Sequence, residues 1–237
     1  MNSQRMLLSL LIIFIKNLNN QKFMKNLILF SAFLIFACSD DNIDLTIYNS
    51  ELSIIENLDN DVSVLDIIDN VGLESLYGVE FGGGFIFHVD ESNGELLVAR
   101  DYSEIGGIAW GDHFDLNTGA NIGDGLENTQ LIVDGNANDN SQGFEFGSDN
   151  YAFKIVLDLE NEGFDDWFIP SSGSLEAIYN NVHVAGLGDF DESLVYWSST
   201  KDGYFPYVIF FNFESWGGQA FAGSCIDANG LVIARKF

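Results

Sequence analysis

The chain has 237 residues, 47% hydrophobic and 14% aromatic, with 36 acidic residues against 9 basic ones. Length and apolar content suffice for one sizeable core plus appendages, and two prolines with this aromatic content exclude a disordered chain. Four of the basic residues, Arg5, Lys16, Lys22 and Lys25, precede Cys38, where no Asp or Glu occurs. The remaining chain is strongly anionic, which excludes nucleic-acid backbones as partners and suits solvated loops or divalent cations.

The N-terminus holds two apolar runs, 6–15 and 27–37. Both fall short of the roughly 20 residues a bilayer-spanning helix needs and have the length of a signal-peptide core. The second is the better formed. Met24-Lys25 gives it a charged start, and IFAC (35–38) ends it on a small residue before Cys38. This end resembles the lipobox of bacterial lipoproteins, in which the cysteine is lipidated and becomes the first residue. Residues 1–37 are therefore expected to be a signal peptide, with Met24 as the true start. SDDN (39–42) resembles the acidic stretch that follows the lipidated cysteine in Bacteroidota-type lipoproteins exported to the cell surface. The expected partner of Cys38 is thus the outer membrane, facing outward. With Cys38 lipidated, only Cys225 remains, so no internal disulfide forms. Cys225 has no basic neighbour in sequence and reads as buried and inert.

Residues 38–72 are expected to be an acidic tether followed by a small lead-in element. Val64, Ile67, Ile68 and Val71 carry helical spacing there. GFIFHVD and ELLVAR, joined through Asn93-Gly94, predict a hairpin over 81–100. A Gly/Asp/Asn-rich segment runs from 101 to 125, and 127–135 reads as a short helix. Residues 134–150 read as a polar loop, and 151–163 as an amphipathic helix closed by Gly163. FDDWFIP (164–170) reads as a strand with Trp167 and Ile169 opposite Phe168. Ser171 or Ser172 then caps a helix carrying Leu175, Ile178 and Tyr179. A loop follows over 182–190, and strands are expected at 194–200, 207–213, 217–223 and 231–237. Helices early and strands late give an α+β fold.

The order of SLYG (75–78), GGGFIFHVD (82–90), AWG (109–111), TGANIGDGLENTQLIV (118–133), DLENEGFDDWFIPSSGSLEAIYNNVH (158–183), YWSST (196–200) and AR-x-F (234–237) resembles the Lcl C-terminal-like domain family. The resemblance covers 73–237. It implies a C-type-lectin-like domain: a small twisted, mostly antiparallel sheet, two to three short helices and long loops that carry binding. Its relatives include adhesin tips that bind sulfated glycans and a formylglycine-generating enzyme, so the fold leaves function open. The chain departs from the family at several points. Asp112 and Val156 stand where relatives often have cysteines, Gly173 and Ser174 replace a charged pair, and Val232 replaces an arginine while Arg235 is kept. Depletion of basic groups disfavours a sulfated ligand.

Asp165-Asp166 is a poor general acid/base pair, because neighbours on an extended strand point to opposite faces. The expected role is a turn in which one Asp accepts backbone amides. The serines near 171 lack a histidine and acid in a nucleophile setting, since His88, His113 and His183 are the only histidines. Formylglycine-type chemistry needs a cysteine pair. No enzyme is expected. Asp134, Asn136, Asn138 and Glu145 fall at the liganding positions of an EF-hand-type loop, although Asp139 replaces its glycine, which makes structural calcium the candidate cofactor. No other cofactor is expected. The candidate ligand surface follows YWSST and comprises Lys201, Asp202, Tyr204, Tyr207, Asn212 and Trp216. The expected function is a surface lipoprotein with a binding or adhesion module for a glycan or protein. The alternative is a structural subunit of an outer-membrane complex, or an enzyme of the formylglycine-generating type.

Overall fold

The computed structural model describes residues 47–112, 114–137, 150–212 and 216–237. Cys38, its flanking signal and acidic segments, His113, Asn138 and Glu145 lie outside them.

Helix begins earlier than the tether reading allows. Ser53 caps α1 (Ile54–Asp59) through a reciprocal pair: its Oγ accepts from Glu56 N (3.2 Å), and Ser53 N donates to Glu56 Oε2 (2.7 Å). Asn57 is buried and fixes the lead-in, accepting from Asn49 N and donating to the carbonyls of Asn49 and Ser53. α2 (Val64–Val71) follows with the expected apolar stripe and ends at Gly72, whose φ is +84°. Leu58, Val62 and Ile67 pack with Leu76, Ile86, Val89, Leu96 and Val98. The lead-in is therefore the cover of one sheet face, and the described residues from Ile47 on form one compact unit.

The hairpin forms as expected from β2 (Gly84–Asp90) and β3 (Glu95–Asp101), after the two-residue β1 (Glu80–Phe81). Gly94 adopts φ +79° and its N–H donates to Asp90 O (2.7 Å), the left-handed position the Asn-Gly pair provides. The C-terminal strand β9 (Val232–Lys236) joins β3 antiparallel, from Leu97 opposite Lys236 to Asp101 opposite Val232. The resulting antiparallel sheet has the order β1-β2-β3-β9. A second sheet, β5-β6-β7, is built from β5 (Val195–Asp202), β6 (Phe205–Phe210) and β7 (Ala220–Ala222). Short β4 (Ile108–Ala109) and β8 (Ala228–Asn229) pair with each other.

Helices α3 (Gly125–Asn136), α4 (Ala152–Leu157) and α5 (Ser172–Ile178) complete the elements, and α5 runs on into a π turn over Tyr179–His183. The fold is α+β with antiparallel sheets, as expected. Among the described residues it has more parts than expected, with three small sheets instead of one. α4 stops well short of Gly163, because Asn161 and Phe164 bridge each other and the Asn161 carbonyl accepts the Trp167 indole N–H (3.1 Å).

Period-two alternation explains how one chain feeds separate cores. Leu97 and Ala99 of β3, Phe168, and Val232 and Ala234 of β9 enter one cluster with Leu175, Ile178, Tyr196, Ile209 and Phe211. Trp167, Ile169, Leu231 and Ile233 face the other way, against Trp110, Ile132, Phe153, Val156 and Trp197. Residues 167–169 thus alternate as a strand does, although only Phe168 bridges a partner, Ala234.

Candidate functional site

The motif-rich stretches meet, and what they build is a buried polar seam. Ser171 caps α5, accepting from Ser174 N (3.2 Å) while donating to Asn121 O (2.6 Å). Gly173 N donates to Ala120 O (3.0 Å), and a Cβ on Gly173 would lie 2.5 Å from that oxygen, so a side chain has no room at this position. Asn128 accepts from Gly119 N (2.9 Å) and donates to Gly119 O (2.7 Å) and Ser199 Oγ (3.2 Å). Thr118 donates to Ser199 O, and Thr200 donates to Gly119 O while accepting from Ser172 N. TGANIGDG, PSSGS and YWSST are therefore one latch. It pins the 117–124 loop between α5 and β5, with its polar groups paired to one another.

The tryptophans follow the same logic. Trp110, Trp167 and Trp197 are buried, and each indole N–H donates to a backbone carbonyl: Ser198, Asn161 and Ile108 respectively. Burial without a lost hydrogen bond makes them scaffold.

Asp166 departs from the expected backbone-capping role. It takes Arg235 bidentately, on Nε and on an NH2 nitrogen (3.0 Å for the latter), while Arg235 Nη1 donates to Gly82 O (2.8 Å). The guanidinium lies 3.5 Å from the Phe164 ring centroid and 4.6 Å from that of Phe237. Arg235 is buried, so this guanidinium is an internal tie and not a surface ligand group.

Of the predicted ligand residues, Lys201 is a correction. It is 1% exposed, its Nζ donates to Phe114 O (2.5 Å), and it sits 4.1 and 4.6 Å from the Phe114 and Trp110 ring centroids. Burial holds its pKa below the ordinary lysine value. Its charge also reaches Cys225, so the thiol does have a basic neighbour in space, although burial pushes the thiol pKa up.

The other predicted residues fall into two groups. Asp202 and Tyr204 are exposed at the β5–β6 turn, with half-buried Tyr207 following on β6. Asn212 and Trp216 lie beyond the far end of β6, about 16 Å along a strand of this length. Asn212 is half-buried and its carbonyl accepts from Tyr179 Oη, whereas Trp216 is exposed. Sequence reasoning missed Phe205 and Ile226, which are 59% and 62% exposed. Ile226 belongs beside the turn, because Gly223 N donates to Pro206 O (2.7 Å) and Cys225 Sγ lies 3.8 Å from Tyr204 O. Phe205 carried a signal: it stands between Tyr204 and Pro206, where a hairpin tip is the natural place for a proline beside a turn.

Asp134 and Asn136 lie in the last turn of α3 instead of a loop. Asp134 accepts from Gln130, and Asn136 is buried with Oδ1 on Asp112 N (2.6 Å) and Nδ2 on Ile132 O (2.9 Å). A cation at Asn136 would have to displace the Asp112 bond. Among the described residues, no group of three or more His, Cys, Asp or Glu side chains is placed to hold a metal.

A cleft of about 470 Å³ opens beside β1–β3 and is lined by Glu80, Asp101, Glu104, Glu162 and Asp189 with Arg100. Arg100 is already held by Glu162 (2.6 Å) and Asn161 (3.1 Å). Burial raises the Asp101 pKa, and Asp101 Oδ2 accepts from Ser103 Oγ (2.6 Å). The remaining cations are also engaged: Lys154 with Asp158 and Lys236 with Glu95. Every Lys and Arg after Cys38 is therefore ion-paired or buried.

No helix among the described residues is long and apolar enough to cross a membrane. No family model and no curated protein matches the chain. Among solved structures it is similar to a fimbrial protein from Bacteroides ovatus at 13% identity, with a TM-score of 0.34. That similarity covers 73% of this chain and 41% of the other, so the chain spans less than half of that protein.

Proposed function

We propose that this chain is a lipid-anchored protein of the outer cell surface whose Lcl C-terminal-like, C-type-lectin-like domain binds a glycan or protein ligand and performs no turnover. The observation that carries the binding role is the exposure of Tyr204 and Phe205 at the tip of β5–β6, on a scaffold whose Trp110, Trp167 and Trp197 are all buried and hydrogen-bonded. Rigid rings held out at a hairpin turn offer contact area at little entropic cost. The anchor rests on the IFAC–SDDN sequence around Cys38.

In cells, the wild-type chain is expected in the detergent phase and accessible to protease added outside, and Cys38→Ser is expected to move it to the aqueous phase. On glycan and matrix-protein arrays the wild type is expected to bind and Phe205→Ser to lose that binding without loss of fold. A wild-type chain in the aqueous phase removes the anchor. Clean negatives on both arrays remove the binding module.

A further inference from the structure

Resting on that reading, we propose that the partner at the hairpin tip is a basic protein segment, a Lys- or Arg-bearing stretch with apolar neighbours. Three chain segments form the tip. The β5–β6 turn brings Asp202, Tyr204 and Phe205, the 223–227 loop brings Ile226 and Asp227, and the 114–117 segment brings Asp115. They are tied together. Leu116 N donates to Gly203 O (3.0 Å), Gly203 N donates to Asn117 Oδ1 (2.8 Å), and Gly223 N donates to Pro206 O (2.7 Å). Asp115 Oδ1 lies 3.7 Å from where a Cβ on Gly203 would stand, which puts this carboxylate at the turn. Beneath, the Lys201 ammonium is committed to Phe114 O and two aromatic rings.

The tip therefore carries the exposed Tyr204, Phe205 and Ile226 on the same three segments as the exposed carboxylates Asp115, Asp202 and Asp227, while the Lys201 ammonium is internal. Carboxylates only accept hydrogen bonds, whereas ammonium and guanidinium groups only donate them, and both are attracted to aromatic faces. A sugar hydroxyl is matched best by acceptors and donors together, whereas the charged groups exposed at the tip, Asp115, Asp202 and Asp227, only accept. Phe205 and Ile226 fit the aliphatic stems of Lys and Arg and their apolar neighbours. An anionic partner, or a second copy of this acidic chain, meets repulsion.

The test is an array of 12-residue peptides of random composition, probed with the full mature chain at 150 mM salt and followed by anisotropy titration of the strongest binders. Hits are expected to carry Lys or Arg beside aliphatic or aromatic residues. The paired change Asp202→Asn/Asp227→Asn is expected to weaken them about tenfold or more, equivalent to about 1.4 kcal/mol. Phe205→Ser should do the same, with circular dichroism and Tm unchanged. Removing equal charge at Asp69→Asn/Glu91→Gln, on α2 and the β2–β3 turn, is expected to weaken them less than about twofold, because screening at this salt limits distant charges. Equal weakening by both pairs overturns the proposal in favour of diffuse attraction to an acidic surface. No basic hits, with a glycan lost in Phe205→Ser, overturns the partner class and leaves the binding module standing. No ligand of either kind overturns both.

Discussion

Arg235→Ala is expected to lower stability by about 3–5 kcal/mol, the range for breaking a buried ion pair and emptying a large core side chain. Several losses combine at one position. The Gly82 carbonyl loses its donor, Asp166 loses a bidentate partner, and the Phe164 and Phe237 rings lose the guanidinium between them. Asp166 itself is half exposed and rehydrates, which keeps the cost at the lower part of the range. Arg235→Lys keeps the charge but not the planar fork, and is expected to recover only part of the loss. Thermal melts check this. In a domain of this size about 1 kcal/mol moves Tm by roughly 2–4 °C, so the alanine variant should melt about 10 °C lower. A shift within about 1 °C would show that the pair is ornamental surface chemistry.

Asn128→Ala is the second change with a large expected effect, about 2–4 kcal/mol, because it removes a buried side chain that bridges Gly119 and Ser199 and leaves the Gly119 N–H without its acceptor. Gly119 N–H loses its acceptor outright, while Gly119 O keeps Thr200 Oγ1 as a donor. Asn128→Asp is the informative companion, since a carboxylate still accepts from Gly119 N–H but cannot donate to Gly119 O or Ser199 Oγ. Both variants should loosen the 117–124 loop. Because the adjoining 114–117 segment forms one side of the hairpin tip, binding should weaken along with Tm. Hydrogen exchange would show it as faster exchange at the Thr118 and Gly119 amides. Unchanged exchange there would dissolve the latch.

In the 163–181 stretch, Asp166 pairs with Arg235, Ser171 caps the helix, Trp167 donates to a backbone carbonyl, and Pro170 O accepts from Ser199 N of β5. Much of this was legible. Asn93-Gly94 announced its hairpin, Ser171 its cap, and the alternation of residues 167–169 its opposed faces, because each is a local rule written within a few residues. The Ser53–Glu56 capping box was equally local, yet the surrounding Asp and Asn made the segment look like tether.

Lys201 was illegible for a different reason. A lysine closing a strand at a turn normally faces water. Its burial depends on the Trp110 and Phe114 rings packing against it and on the Phe114 carbonyl, a contact across 87 positions that no local pattern encodes. The Asp166–Arg235 pair spans 69 positions and was hidden in the same way. The exposed tip suffered the converse problem. Phe205 and Ile226 are apolar residues in an apolar region, and only the register that turns them outward distinguishes them from core.

The motif-built scaffold is distinct from the binding surface proposed at the β5–β6 tip, and hydrogen exchange of the mature chain with its strongest array-derived ligand tests that separation directly. The separation predicts new protection confined to residues 202–207 and 223–227, with amides beside the acidic cleft, at Gly84, Asp101 and Asp189, unchanged. Protection centred on those cleft amides, with the tip unaffected, would contradict it.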